Sequence, residues 1–167
     1  RVKRQARGER AMERALDAAL ELATPQRGFR PTIQEVSARA KPSVGSLYHH
    51  FGSQQRITFA LYQRCLDQML TFITAKVVRE RDAERGVKAM VRAYLAFVAR
   101  HPAEARFVFA AAHTELVDAF RAELVEHAAR ATGPLAAWVE RQVAAGAVVK
   151  LPPALYEVVL IGAVAEA

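Results

Sequence analysis

Residues 32–51, TIQEVSARAKPSVGSLYHHF, constrain the fold more tightly than any other stretch of the chain. Two short apolar stripes of helical period are separated by a proline, so two helices meet at a tight turn. Thr32, with Glu35 three positions on, forms a capping box in which each side chain satisfies a backbone N–H of the other residue. Ile33, Val36 and Ala40 then share one face. Lys41-Pro42 stops this helix, because the residue before a proline is pushed out of the α region. Ser43 caps a second helix. Its inner face reads Val44, Leu47, Tyr48 and Phe51, and its outer face Ser46, His49, His50 and Ser53. Gly45, in the first turn, costs about 1 kcal/mol of helix propensity. It also removes bulk from an end that approaches another surface closely. The outer face is short, polar and rich in hydrogen-bonding groups, and the helix N-terminus adds partial positive charge. Such a face suits phosphates and base edges.

Charge points the same way. The net charge is +7, and residues 1–64 hold twelve Lys/Arg against five Asp/Glu. The other 103 residues carry equal numbers of bases and acids. The whole basic excess therefore sits with the two-helix motif, as expected of a nucleic-acid-binding head on a neutral body. A merely soluble basic surface would give the same count without the motif.

The rest of the chain reads as helices. Residues 1–9 are a basic arm, either frayed or able to reach a neighbouring groove. A first helix covers about 9–23, with Met12, Ala15, Leu16, Ala19, Leu20 and Ala23 inward. Phe29, after Gly28, is expected to plug the small core of the first three helices. A long helix from about 53 to 79 buries Phe59, Tyr62, Leu66, Met69, Ile73 and Val77. Cys65 lies beside that stripe as a small buried side chain, with a redox sensor as the lesser alternative. The next helix spans about 83–100, with Val87, Met90, Val91, Tyr94, Leu95 and Val98 inward. Pro102 opens another helix that breaks near His113-Thr114. Thr132-Gly133-Pro134 marks a boundary before a helix over about 134–145 that ends at Gly146. The segment from Ala154 to Ala167 is apolar on nearly every side and must be buried all round. Leu155, Val158, Val159, Gly162 and Ala163 make it a candidate dimer interface.

At these residues the chain resembles the TetR family of transcriptional regulators. A first helix AMERALDAALELA leads through Gly28-Phe29 to TIQEVSARA and then to SVGSLYHHFGS, which is similar to the family's SxGxLYxHF signature. The dense match covers about residues 7–60. Two positions depart from the pattern: Lys41-Pro42 stands where the family usually carries Gly-Val, and Gln54 stands where a lysine is common. The resemblance implies a dimer, a ligand-responsive body and a further helix beyond Ala167.

The expected architecture is all-α. An N-terminal three-helix helix-turn-helix DNA-binding head spans 1–52. A C-terminal helical bundle for ligand binding and dimerisation spans 53–167. Ser43 and its helix N-terminus are placed at a phosphate, and Val44, Gly45, Ser46 and His49 at base edges. Tyr48 combines packing with a phosphate-reaching hydroxyl. Thr32 and Lys41 are assigned to the DNA backbone, and Gln54 takes the usual lysine position. Tyr94, Phe97, Phe107, His113 and Trp138 are candidate walls of a pocket for a small, mostly apolar effector.

Other chemistry finds little support. There is no Gly-rich phosphate loop, no GxSxG, no HExxH and no paired-cysteine spacing, so no enzyme, metal or cofactor is expected. His49 and His50 are adjacent and point about 100° apart on a helix. One cysteine makes no internal disulfide. No run approaches the ~20 apolar residues of a membrane span, and the basic start lacks an apolar signal core, so a cytoplasmic location is expected. The leading reading is a ligand-responsive dimeric repressor on a palindromic operator. A ligand-independent DNA-binding dimer and a small helical enzyme or carrier stand as alternatives.

Overall fold

The computed structural model describes residues 2–25, 28–112 and 114–151. His113 and the apolar segment 154–167, with Leu155, Val158, Val159, Gly162 and Ala163, lie outside the described residues. Eight helices and no strand occur among those described. In order they are α1 (Val2–Leu22), α2 (Ile33–Ala40), α3 (Val44–Phe51), α4 (Gln54–Val77), α5 (Ala83–Arg100), α6 (Pro102–Ala112), α7 (Glu115–Ala119) and α8 (Arg121–Ala144). By packing, the chain forms two compact units that interleave in sequence. The first joins Arg1–Leu66 with Ala103–Leu124, and the second joins Asp67–Pro102 with the chain from Val125 onward.

In the first unit α1 packs on α2 and α2 on α3. The α1 stripe is as the periodicity requires, with Met12, Ala15, Leu16 and Ala19 buried. The helix begins earlier than its apolar period suggests, at Val2, so the basic arm continues the α1 backbone. Ile33, Val36 and Ala40 of α2 and Leu47 of α3 are buried with them. Arg64 of α4 reaches Asp17 of α1 at 2.7 Å and Glu13 at 3.4 Å. Phe29 is only half-buried, and its ring partner is Phe107 of α6, with centroids 6.4 Å apart. The expectation that it plugs the three-helix core is therefore corrected: its partner lies far along the chain. Phe59 of α4 stacks on Phe120, centroids 4.4 Å apart.

The second unit corrects two expectations. On α5 the buried residues are Gly86, Met90, Ala93, Tyr94 and Phe97, whereas Leu95 is 53% exposed. The buried stripe is rotated by about one residue from the one hydropathy suggests. Gly86 explains the shift, since a Cβ there would run into the ring of Trp138. Glycine carries no hydropathic signal, yet here it makes the space a tryptophan fills. The second correction concerns Gly133-Pro134, which interrupts nothing: α8 runs through it. A proline inside a helix costs about 3 kcal/mol. Burial of Trp138 offsets this, because ~200 Å² of indole surface returns about 5 kcal/mol. Trp138 Nε1 donates to the Glu80 carbonyl at 2.6 Å and Gln142 Nε2 to the Arg81 carbonyl at 3.2 Å. On the other side of the proline, His127 Nε2 lies 2.7 Å from Asp67 Oδ1. The helix ends where expected, with the Gly146 N–H on the Val143 carbonyl and the Ala147 N–H on the Gln142 carbonyl.

Two outcomes follow. Gly86→Ala should destabilise the protein by about 2–3 kcal/mol through overpacking, a fall in Tm of roughly 5–10 °C. Gly133→Ala, where nothing lies within 4 Å of the added carbon, should be neutral or stabilising by up to ~1 kcal/mol. Thermal melts followed by the fluorescence of Trp138, the single tryptophan, measure both. Cys65 is fully buried, and burial pushes its thiol up to about 11 against a smaller opposing pull from Arg64. It should resist a disulfide-exchange reagent at pH 8 in the folded protein and react fully once unfolded. Fast labelling of the native state would contradict this placement.

Candidate nucleic-acid interface

The interface begins with two helix ends. Glu35 N–H donates to Thr32 Oγ1 at 3.2 Å, and Thr32 N–H donates to Glu35 Oε2 at 3.0 Å, so the capping box is closed in both directions. The Thr32 hydroxyl also donates to Glu35 Oε2 at 2.8 Å. Ser43 Oγ accepts from the Ser46 N–H at 3.2 Å and starts α3. Arg39 at the end of α2 is ion-paired with Glu21 of α1.

The turn between the helices is the unexpected part. Lys41 leaves the right-handed α region, as the following proline requires, but it enters the left-handed one, at φ 77° and ψ −21°. The reason is the way α2 ends. The Lys41 N–H bonds the Ser37 carbonyl at 3.1 Å, which is the hydrogen bond of a left-handed helix stop. The Ser37 hydroxyl then donates to the Pro42 carbonyl at 2.7 Å and holds the turn closed. α3 ends in the same way at Gly52, with φ 81° and its N–H on the Tyr48 carbonyl at 2.8 Å. Glycine takes that conformation freely. Lysine pays about 1 kcal/mol for it.

Between these ends α3 buries one residue fully, Leu47. Val44 and Phe51 are half-buried. Tyr48 was expected on the inner face, but it is 45% exposed. An eight-residue helix lying on a small core covers only a narrow stripe, and Tyr48 falls at its margin. Ser43, Gly45, Ser46, His49 and His50 are exposed, and no heavy atom lies within 4 Å of a Cβ built on Gly45. Lys41 and Gln54 are exposed on the flanks, and Thr32 is half-buried in its cap. The candidate residues thus lie along one short stretch, bounded by two helix starts whose free N–H groups carry partial positive charge. An open groove of about 620 Å³ between α1 and α2 is lined by Arg14, Asp17, Glu21, Arg39 and Lys41, among others.

The effector candidates are divided between the two units, and His113 lies outside the described residues. Tyr94, Phe97 and Trp138 are buried in the second unit and Phe107 in the first. Trp138 is engaged with Gly86 and the Glu80 carbonyl, and Phe107 with Phe29. Burial raises the Tyr94 phenol above its usual range. Phe97 stacks on His101, centroids 4.8 Å apart, and lines an open groove of about 450 Å³ with Asp67, Gln68, Thr71, Phe72 and His101. Sequence reasoning missed Phe72 and His101. Phe72 sits one position off the apolar stripe of α4, and His101 belongs to the helix stop before Pro102, where its packing role leaves no periodic signal.

Capped helices, a closed turn and a polar exposed face define a helix-turn-helix of the DNA-binding class. Residues 15–61 match the family model described as bacterial regulatory proteins, tetR family. The fold is similar to that of a TetR family transcription regulator from Marinobacter aquaeolei VT8, with a TM-score of 0.69 at 15% identity, over 99% of this chain and 84% of that one. No curated protein matches the sequence. The family model matches the head alone, and the structural likeness extends to the fold of the whole chain: the protein carries a TetR-type helix-turn-helix head on a fold similar to that of a TetR family regulator.

The strained turn yields a prediction with two opposite signs. Lys41→Gly should raise stability by up to about 1 kcal/mol, because glycine relieves the left-handed strain. If Lys41 meets a phosphate, the same change should lower the salt slope of DNA binding by about one unit. Denaturant titration reads the first effect and binding across a salt series the second.

Proposed function

We propose that the protein is a ligand-responsive transcriptional repressor that binds a palindromic operator as a homodimer. Residues 1–52 form the DNA-binding head and 53–167 the ligand-binding and dimerisation part. Each head lays α3 in a major groove, with Ser43 and the helix N-terminus at a phosphate and Val44, Gly45, Ser46 and His49 at base edges. Tyr48, Thr32, Lys41 and Gln54 meet the sugar–phosphate backbone. Two-fold symmetry sets the half-sites one or more helical turns apart. The segment with Leu155, Val158, Val159, Gly162 and Ala163 makes the dimer contact. A small, mostly apolar effector, held by residues among Tyr94, Phe97, Phe107, His113 and Trp138, releases the operator. It does so only as far as it binds the released shape more tightly than the DNA-bound one. No enzymatic role is proposed, and the protein acts in the cytoplasm.

The observation that carries this reading is the exposed polar face of α3, held by capped ends within the part of the chain that contains the entire basic excess. Binding to duplex DNA should fall by orders of magnitude between 50 and 200 mM salt if several phosphates are contacted. Because Tyr48 sits at the margin of the buried stripe with 45% of its surface exposed, Tyr48→Ala should cost at least tenfold in DNA affinity, with a smaller loss of Tm than a core truncation. His49→Ala should relax preference at one base position by about 1–3 kcal/mol and leave the salt slope unchanged. Enrichment of a random duplex library by wild type and variant, followed by titration, reads each outcome. A flat salt response would remove the DNA-binding reading. Release by no compound in a broad apolar panel would favour a ligand-independent dimer.

A further inference from the structure

The turn after α3 is tied to a distant stretch of the chain through one side chain. Ser53 follows Gly52 and caps α4, its Oγ accepting from the Arg56 N–H at 3.1 Å. The Arg56 side chain extends from that same turn. Its Nη1 lies 2.6 Å from Glu123 Oε2, and its guanidinium carbon stands 4.5 Å from the centroid of the Phe120 ring. Phe120 in turn stacks on Phe59, one turn further along α4. Phe120 closes α7, and Glu123 lies in the first turn of α8, at the break between two helices. All four side chains belong to the first compact unit, together with α1–α3. A planar cation bonded at its edge and covered on its face is fixed in direction, which a lysine in the same place would not be.

We infer that Arg56 is a positioning residue for DNA recognition: clamped by Phe120 and Glu123, it fixes the first turn of α4 and thereby the tilt of α3. The inference rests on the DNA-binding reading above. It separates from the simpler idea that Arg56 binds a phosphate in place of the family lysine missing at Gln54. In that case Glu123 would compete with DNA for the guanidinium. In the clamp, Glu123 assists binding although it is acidic and near a polyanion.

The two ideas predict opposite signs for one substitution. Glu123→Gln removes a negative charge, so general electrostatics would raise DNA affinity. If Arg56 positions the helix, this variant should instead bind a duplex enriched by the wild-type protein about threefold more weakly. Its affinity for a random-sequence duplex of equal length should stay unchanged. Arg56→Ala should lose about tenfold on the enriched duplex, and adding Glu123→Gln to it should cost nothing more. Arg56→Lys, which keeps the charge but loses the planar contact, should restore only part of the loss. Both residues are about half-exposed, so melting temperatures should change little and report that the variants fold. A gain of affinity in Glu123→Gln on both duplexes, or no change on either, would overturn the inference while leaving the DNA-binding reading intact. Absence of salt-dependent binding by the wild type would remove both.

Discussion

Helices of eight residues do not persist in water by themselves, because nucleation is costly and four backbone groups are left open at each end. Both α2 and α3 are this short. The head therefore depends on how their ends are closed. Thr32 and Glu35 close the start of α2, Ser37 and Lys41 its end, Ser43 the start of α3 and Gly52 its end. Each such bond is worth about 1 kcal/mol. Together they rival what the two helices gain from burying Ile33, Val36, Ala40 and Leu47, at 1.5–3 kcal/mol for each large side chain by the usual order of magnitude. The polar face can be left fully available for another molecule only because the ends do so much of the holding.

End-group chemistry is local, and that decided what could be read from the sequence. The capping box at Thr32, the cap at Ser43, the bounds of the helix over 83–100 and the stop at Gly146 depend on residues within a few positions of one another. Each was legible from spacing alone. The all-α class and the helix-turn-helix followed from the same signals. The Lys41 turn was half legible: proline forbids the right-handed conformation, but only the hydrogen bond back to Ser37 selects the left-handed one over an extended one.

What sequence could not supply is pairing between distant residues. Phe29 looked like a plug for its neighbours, and its partner is 78 positions away at Phe107. Gly133-Pro134 looked like a boundary because its local cost is real. Packing at Trp138, anchored to the carbonyl of Glu80, outweighs that cost and keeps α8 whole. Gly86 carried no signal until the indole that fills its space was known. In the candidate interface the exposed face was legible, whereas the exposure of Tyr48 and the Arg56–Glu123 pair, 67 positions apart, were not. For the effector candidates spacing carries no such information, since buried aromatics at helical spacing look alike whether they line a cavity or fill a core.

These two kinds of information meet in α3. It contributes one fully buried side chain to the core, so packing alone fixes its distance from α2 more firmly than its direction. Direction is left to what grips each end. At the start that is a lysine turn carrying strain. At the finish it is a glycine stop followed at once by the Ser53 cap and the Arg56 clamp. The clamp consists of half-exposed groups, so it stabilises the fold only slightly. A contact that adds little stability can still choose between orientations whose energies differ by as little. If α3 is the recognition helix proposed above, a helix held in this way would be sensitive to its flanks in binding and nearly indifferent to them in stability, whereas changes at Leu47 or Val36 would act on the fold first and on DNA only as a consequence.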